Sequence, residues 1–387
     1  MGRTEASPKH LNAYIVPAML RNLSYKVSSA FSSSSDLPTL KNSGAFSKAT
    51  RTEQLFPTTD PAVDGDECLR DCDSCSVKYP RKFDIDETEE LYGHVKSFST
   101  HLVVATGKTD WVRDVADEKG SIMEAVDRGD TKPSNGRLML SASDIPVPNH
   151  SDDSSMVLLL PAWQFIDNVT PANTSELITR YVNPGPTNNT PIHARSATSA
   201  PASTQTSTPT TSDGDDAPSI PPTLPLKARP CPHKYLILMC SQKTRDARCG
   251  QSAPLLRKEF ERILRPMGLY RDLHDERPGG VGIYFISHVG GHKFSANVMV
   301  YRHSSAVAQS LANGNAGSGE REREVVLDAN KASEEGEGEA AQCIWLARVR
   351  PEDCENIVRY TVLQGKVVKP ERQLRGGFDR SKQLASW

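Results

Sequence analysis

Tyr235 to Gly250 reads YLILMCSQKTRDARCG, and Val281 to Lys293 reads VGIYFISHVGGHK. YLILM is a continuous apolar run bounded by polar residues, which reads as a buried strand ending at Cys240. Val281 to Ile286 reads as a second strand running into His288 and His292. Between them Leu256, Phe260, Ile263, Leu264 and Met267 fall on one helical face. Pro254 is placed to open that helix, where its missing N–H costs nothing, and Gly268 to end it. Asn297 to Tyr301 alternates and reads as a third strand, Ile344 to Val349 as a fourth, and Pro351 to Leu363 as a closing helix. The stretch is therefore an α/β unit.

Its loops carry a donor set. Cys240 and Cys249 are spaced C-x8-C, and His288 and His292 are spaced H-x3-H around Gly290 and Gly291. Thiolate and imidazole both ligate iron–sulfur clusters, and two histidines in place of two cysteines on one iron raise the potential. The plain alternatives are a buried thiol at a strand end and solvated loop histidines. Two cysteines and two histidines at matched positions point instead to ligation of a [2Fe–2S] cluster, with zinc as the competing metal. Zinc sites of this composition usually hold their cysteines roughly two to four residues apart, and this loop is wider. Gly250 would allow a turn beside Cys249, and the glycine pair would let both imidazoles face one metal. Arg245 and Arg248 would favour thiolates, and with Lys293 tune charge or dock a partner. A ligand histidine with a free ring nitrogen would couple the potential to pH.

The rest of the chain follows from composition. It has 387 residues and a formal net charge of -2, so no global field draws it to nucleic acid or membrane. No apolar run approaches a membrane span, and no secretory signal is visible. The eight cysteines, Cys68, Cys72, Cys75, Cys231, Cys240, Cys249, Cys343 and Cys354, therefore suggest metal binding or buried thiols rather than a disulfide framework. Residues 1–64 read as a disordered tail, within which Met19 to Ser35, with Arg21 and Lys26 and no acids, resembles a mitochondrial presequence. Residues 65–183 read as a smaller α/β domain, with strands at His101–Thr106 and Met156–Leu160 and a helix marked by Ile122, Met123 and Val126. Residues 184–230 are a Pro/Ser/Thr linker. The domain 231–387 follows, interrupted by an acidic, disordered insertion at 304–341 that loops out between two paired strands. No internal sequence repeat is evident.

CSQKTRDARCGQSAPLL, ISHVGGHKFSANVMVY and IWLARVRPEDCENIV closely resemble the fungal sucrase/ferredoxin-like family, which includes the actin patches distribution and altered inheritance of mitochondria proteins. HLVVATGKTDW and LLLPAW fit its N-terminal half. The resemblance implies a thioredoxin-like, bis-histidine [2Fe–2S] ferredoxin domain at the C-terminus, with Cys240, Cys249, His288 and His292 as ligands. It also makes the terminal Ser386-Trp387 look like the signal by which cytosolic iron–sulfur assembly machinery recognises clients; the plain alternative is a docked or frayed end.

Other motifs carry less. Gly107-Lys108-Thr109 lacks the earlier glycine of a phosphate loop, whose place Leu102 takes. Trp111 and Trp345 read as packing residues, and His233, His274 and His303 as solvated. No carboxylate pair supports glycoside hydrolysis. The expectation is a one-electron carrier in cellular redox homeostasis, passing electrons between an unknown reductase and an unknown acceptor. It is more an electron-transfer protein than an enzyme with its own substrate. The alternative is a thiol–disulfide oxidoreductase using Cys72 and Cys75, next to Cys68, which lacks a fourth ligand for a second metal site. A third is an interaction scaffold. The expected location is cytoplasmic, with mitochondrial as the alternative.

Overall fold

A computed structural model describes residues 46–147, 154–192, 224–307, 326, 329 and 338–387. The presequence-like stretch, most of the linker and the insertion glutamates other than Glu339 lie outside the described residues. Gly44–Trp387 forms one compact unit. Its fold is mixed α/β, with a thirteen-stranded sheet and few helices among the described residues.

The strands are β1 (Ser47–Lys48), β2 (Thr100–Ala105), β3 (Leu138–Ser143), β4 (Ser155–Leu160), β5 (Gln164–Val169), β6 (Lys227–Pro230), β7 (Tyr235–Cys240), β8 (Tyr270–Arg271), β9 (Val281–Ile286), β10 (Val298–His303), β11 (Ala340–Leu346), β12 (Leu374–Asp379) and β13 (Leu384–Ala385). They lie in the order β1-β13-β12-β11-β10-β7-β9-β3-β2-β4-β5-β6, with β8 beside β9.

Two halves of this sheet repeat one topology. In the first, β2 and β3 are parallel and joined through the helix Ile122–Arg128; β4 runs antiparallel to β2, and β5 to β4. In the second, β7 and β9 are parallel and joined through the helix Ala247–Leu264; β10 runs antiparallel to β7, and β11 to β10. Each half closes with a 3-10 turn opened by proline and continued as helix, at Pro171–Val182 and Pro351–Val362. The sequence shows no repeat because a strand's alternation constrains residue class, not identity.

Alternation along the strands sorts the cores. Tyr235, Ile237 and Met239 of β7 face Leu256, Phe260, Ile263 and Leu264 of the long helix. Each fully buried side chain of this kind stabilises by about 1.5–3 kcal/mol. Leu236 and Leu238 point the other way, into a cluster shared with Val103, Leu158, Trp345 and Phe378. Both half-sheets thus turn a face into this common core, while Leu102, Val104, Met123 and Ile166 form the core of the first half.

Several expectations need revision. The tail read as disordered to residue 64 is folded from Phe46 onward, because Leu55 and Phe56 bury in the main core. The linker's last residues form β6, whose backbone pairs with β5. The insertion is not wholly in solvent: Ala329 is buried and accepts a bond from the Gly280 N–H at 2.8 Å. The long helix begins at Ala247, not Pro254, because Asp246 caps it by accepting from the Arg248 N–H; Pro254 lies inside. His233 and His303 are buried rather than solvated, His233 bonding the Tyr284 hydroxyl at 2.9 Å; His274 is exposed.

A candidate metal centre at the ends of β7 and β9

β7 and β9 are parallel neighbours with Cys240 opposite Ile286, so the chain leaves both strands at the same end of the sheet. That register sets Cys240 beside His288, with Sγ and Nδ1 4.0 Å apart. Cys249 arrives from the other side, in the first turn of the long helix, and is fully buried. Gly250 follows it within the helix, and its role is close approach rather than a turn: a Cβ there would lie 2.5 Å from Lys243 Cβ. The His288 and His292 rings lie 5.3 Å apart between centroids. Between them Gly290 and Gly291 have φ of 89° and 66°, the left-handed region that favours glycine. The cysteines are buried, His288 half-buried and His292 exposed. The structure thus brings all four sequence-chosen donors to one place.

Their electrostatics are coupled. A hydrogen bond from Cys249, with backbone donors at Gln242 and Val289, pulls the Cys240 thiol below its ordinary range despite burial. The bond to Cys240 and burial push Cys249 upward. Burial, then the neighbouring His288, lowers His292.

Two segments far away in sequence hold the loops, and sequence reading missed both. Thr106–Arg113, which contains the discounted Gly107-Lys108-Thr109, braces the cysteine loop. Ser241 Oγ donates to the Thr109 carbonyl at 2.8 Å, and Thr244 Oγ1 to Asp110 at 2.8 Å. Gln242 donates to the Val112 carbonyl at 2.5 Å and accepts from the His288 N–H at 2.9 Å, tying both loops together. From the C-terminal side, Arg375 of β12 donates to the Gly290 carbonyl at 3.1 Å. The cations expected to tune the site are otherwise engaged: Arg248 pairs with Asp246, Lys293 with Glu89, and Arg245 donates to the Arg113 carbonyl.

Among the described residues, no three His, Cys, Asp or Glu side chains are grouped as ligands of a single ion. The four donors stand as a sulfur pair and an imidazole pair. Two thiols and two imidazoles are donor types that iron–sulfur clusters and zinc both accept.

The alternative thiols are elsewhere. Cys68 is buried, and Cys72 and Cys75 are half-buried against the long helix, Cys72 within 3.5 Å of Arg262 Nη2. Burial raises the Cys75 thiol, the opposite of an activated nucleophile. Trp111 and Trp345 are core residues. Trp387 packs on Phe98, with ring centroids 5.1 Å apart, so the C-terminus is docked.

The sequence pattern of the sucrase/ferredoxin-like family matches residues 91–376. Actin patches distal protein 1 of Saccharomyces cerevisiae is 53% identical over 68 residues, 18% of this chain and 22% of that protein. Altered inheritance of mitochondria protein 32 is 30% identical in Clavispora lusitaniae over 138 residues, 35% of this chain and 33% of the relative. The Debaryomyces hansenii protein of the same name is 31% identical over 136 residues, 35% and 34% of the two chains. The aligned stretches thus span between 22% and 34% of each relative's own length. No solved structure matches. No helix of the described residues is long and apolar enough to cross a membrane.

Proposed function

Since the chain belongs to the sucrase/ferredoxin-like family, we propose that its C-terminal half is a thioredoxin-like ferredoxin domain of the bis-histidine type. In this reading Cys240 and Cys249 hold one iron of a [2Fe–2S] cluster and His288 and His292 the other. The observation that carries it is the convergence of the four side chains at the ends of two parallel strands, with Cys240 Sγ 4.0 Å from His288 Nδ1. The order β9-β7-β10-β11, with helices after β7 and β11, supports the thioredoxin-like assignment. When bound, the cluster supplies a one-electron couple. The chain's own residues supply the rest. Cys240 and Cys249 sit buried, keeping water from the sulfur side, while the exposed His292 sits on the side an electron partner can reach. Gln242 and Asn297 fix the two loops before any partner docks: Gln242 bonds His288, and Asn297 Nδ2 donates to the Gly291 carbonyl at 3.3 Å.

The protein then carries one electron from a reductase to an acceptor in cellular redox homeostasis. Client recognition by the iron–sulfur assembly machinery through Trp387 requires that side chain to leave Phe98. A cytoplasmic location fits that route. The names of the altered inheritance of mitochondria relatives favour a mitochondria-related role. Purification without air tests the centre: the protein should be coloured, contain about two irons per chain, and give a rhombic signal of low average g on reduction. A colourless chain with stoichiometric zinc overturns it.

A further inference from the structure

Arg375 is a buried cation with no carboxylate partner among the described residues. It is 4% exposed. Nη1 donates to the Gly290 carbonyl at 3.1 Å and to Asn297 Oδ1 at 2.7 Å, both neutral acceptors. The guanidinium lies 4.7 Å from the Trp345 ring centroid and 5.8 Å from that of Phe294. Its Nε has no hydrogen-bond partner among the described residues. Two of the other buried arginines have a carboxylate at hand: Arg380 pairs with Glu339, and Arg348 lies 3.9 Å from Asp86. An unbalanced buried charge is strongly disfavoured, so a folded chain that keeps one has a negative group facing it. The fit to the histidine loop is close: a Cβ on Gly291 would fall 2.5 Å from Arg375 Nη2.

We infer that Arg375 is the counter-ion of the centre and the positioning residue of the histidine loop. The inference rests on the ligand reading above. A cluster held by Cys240, Cys249, His288 and His292 would gain one negative charge on taking an electron from a reductase, with no bond broken, and the buried guanidinium would balance that charge. Arg375 therefore favours the reduced state. It does so without ligating iron, and it links β12 to the loop that carries both imidazoles.

The test uses the full chain, purified without air, as wild type, Arg375→Met and Arg375→Lys. Iron content, visible absorption and redox titration are read on each. Methionine keeps much of the volume and removes the charge; lysine keeps the charge and loses the fork. The methionine variant should be at least tenfold harder to reduce, about 59 mV for a one-electron couple. The lysine variant should stay within tenfold of wild type and release iron to a chelator faster. A methionine variant with wild-type potential overturns the inference. If that variant does not fold or hold iron, the lysine variant decides: a tenfold or larger fall in its reduction equilibrium overturns the charge role. Wild-type protein without iron sinks the ligand reading instead, whatever the variants do.

Discussion

Ser143 and Ile286 pair with each other across the sheet, and each is the last residue of the second parallel strand in its half. They occupy the same position in the two copies of the topology, so the copies meet about a local pseudo-twofold axis. The contact between β3 and β9 is a single register pair. Side chains extend it. Asp144, next to Ser143, accepts from the Phe285 N–H at 2.7 Å and from Arg257 Nη1 at 2.7 Å, and Ser287 Oγ accepts from the Ala142 N–H at 3.1 Å. The counterpart of Cys240 in the first half is Ala105, opposite Ser143. The first half therefore lacks the donors and instead braces the half that has them.

Asp144→Ala should destabilise the fold by about 3 kcal/mol, because it leaves the part-buried Arg257 and the Phe285 N–H without that partner. Urea unfolding followed by circular dichroism reads this. A loss below about 1 kcal/mol would mean that the seam is held by apolar packing alone.

Cys240→Ala and Cys249→Ala should each abolish the visible chromophore while leaving far-ultraviolet circular dichroism unchanged. His292→Cys should keep a chromophore and lower the potential, since a thiolate adds negative charge where a neutral imidazole stood. A potential that rises in this variant contradicts the assignment of His292 as a ligand.

Gly291→Ala should cost the protein its iron. The residue's φ of 66° strains any L side chain, and the added carbon meets the Arg375 guanidinium at 2.5 Å. Strain of this kind costs about 1–3 kcal/mol locally, so the chain should still fold. Iron retained at the wild-type level would show that the loop can move aside.

Acid should unfold the protein through its buried histidines. Burial lowers His101 to about 3, and His233 and His303 to about 4 each. The folded state therefore favours their neutral forms. The stability this gives is fully present above the unfolded value of about 6.5 and is lost as pH falls toward the folded values, at about 1.4 kcal/mol per pH unit for each group. Urea midpoints measured from pH 7.5 down to 4.5 should fall along that slope. His101→Gln, which retains a partner for Tyr301 and Ser141, should make the slope shallower by about one proton.

Cys72→Ser with Cys75→Ser should leave the visible spectrum and the potential unchanged. Both thiols lie against the long helix near Glu259 and Arg262, away from the four donors. A thiol–disulfide exchange activity that vanishes in this variant would revive the oxidoreductase alternative.

Much of the second half was legible as sequence. Val281–Ile286 matches its strand, and the strand expected to end at Cys240 does end there. Leu256, Phe260, Ile263 and Leu264 are the buried face of the long helix. The strands that escaped notice have weaker patterns. QFIDNV (β5) mixes polar residues into its run, and LRGGFD (β12) contains Gly376 and Gly377, and glycine is depleted in strands. Gly377 is needed there because a Cβ would lie 1.9 Å from the Cys343 carbonyl oxygen. The helix start was misread because Pro254 is a stronger local signal than the Asp246 cap.

The sequence by itself determined which residues form the apolar strands and where the two sulfur and two imidazole donors fall, because both are local properties of period and residue type. Only the tertiary structure decided that Arg375 reaches the glycine pair, that Thr109, Asp110 and Val112 brace the cysteine loop, and that two halves share one topology. These contacts join positions far apart in the chain, and neither hydrophobic period nor donor spacing carries information about which distant backbone carbonyl a buried guanidinium or amide will find.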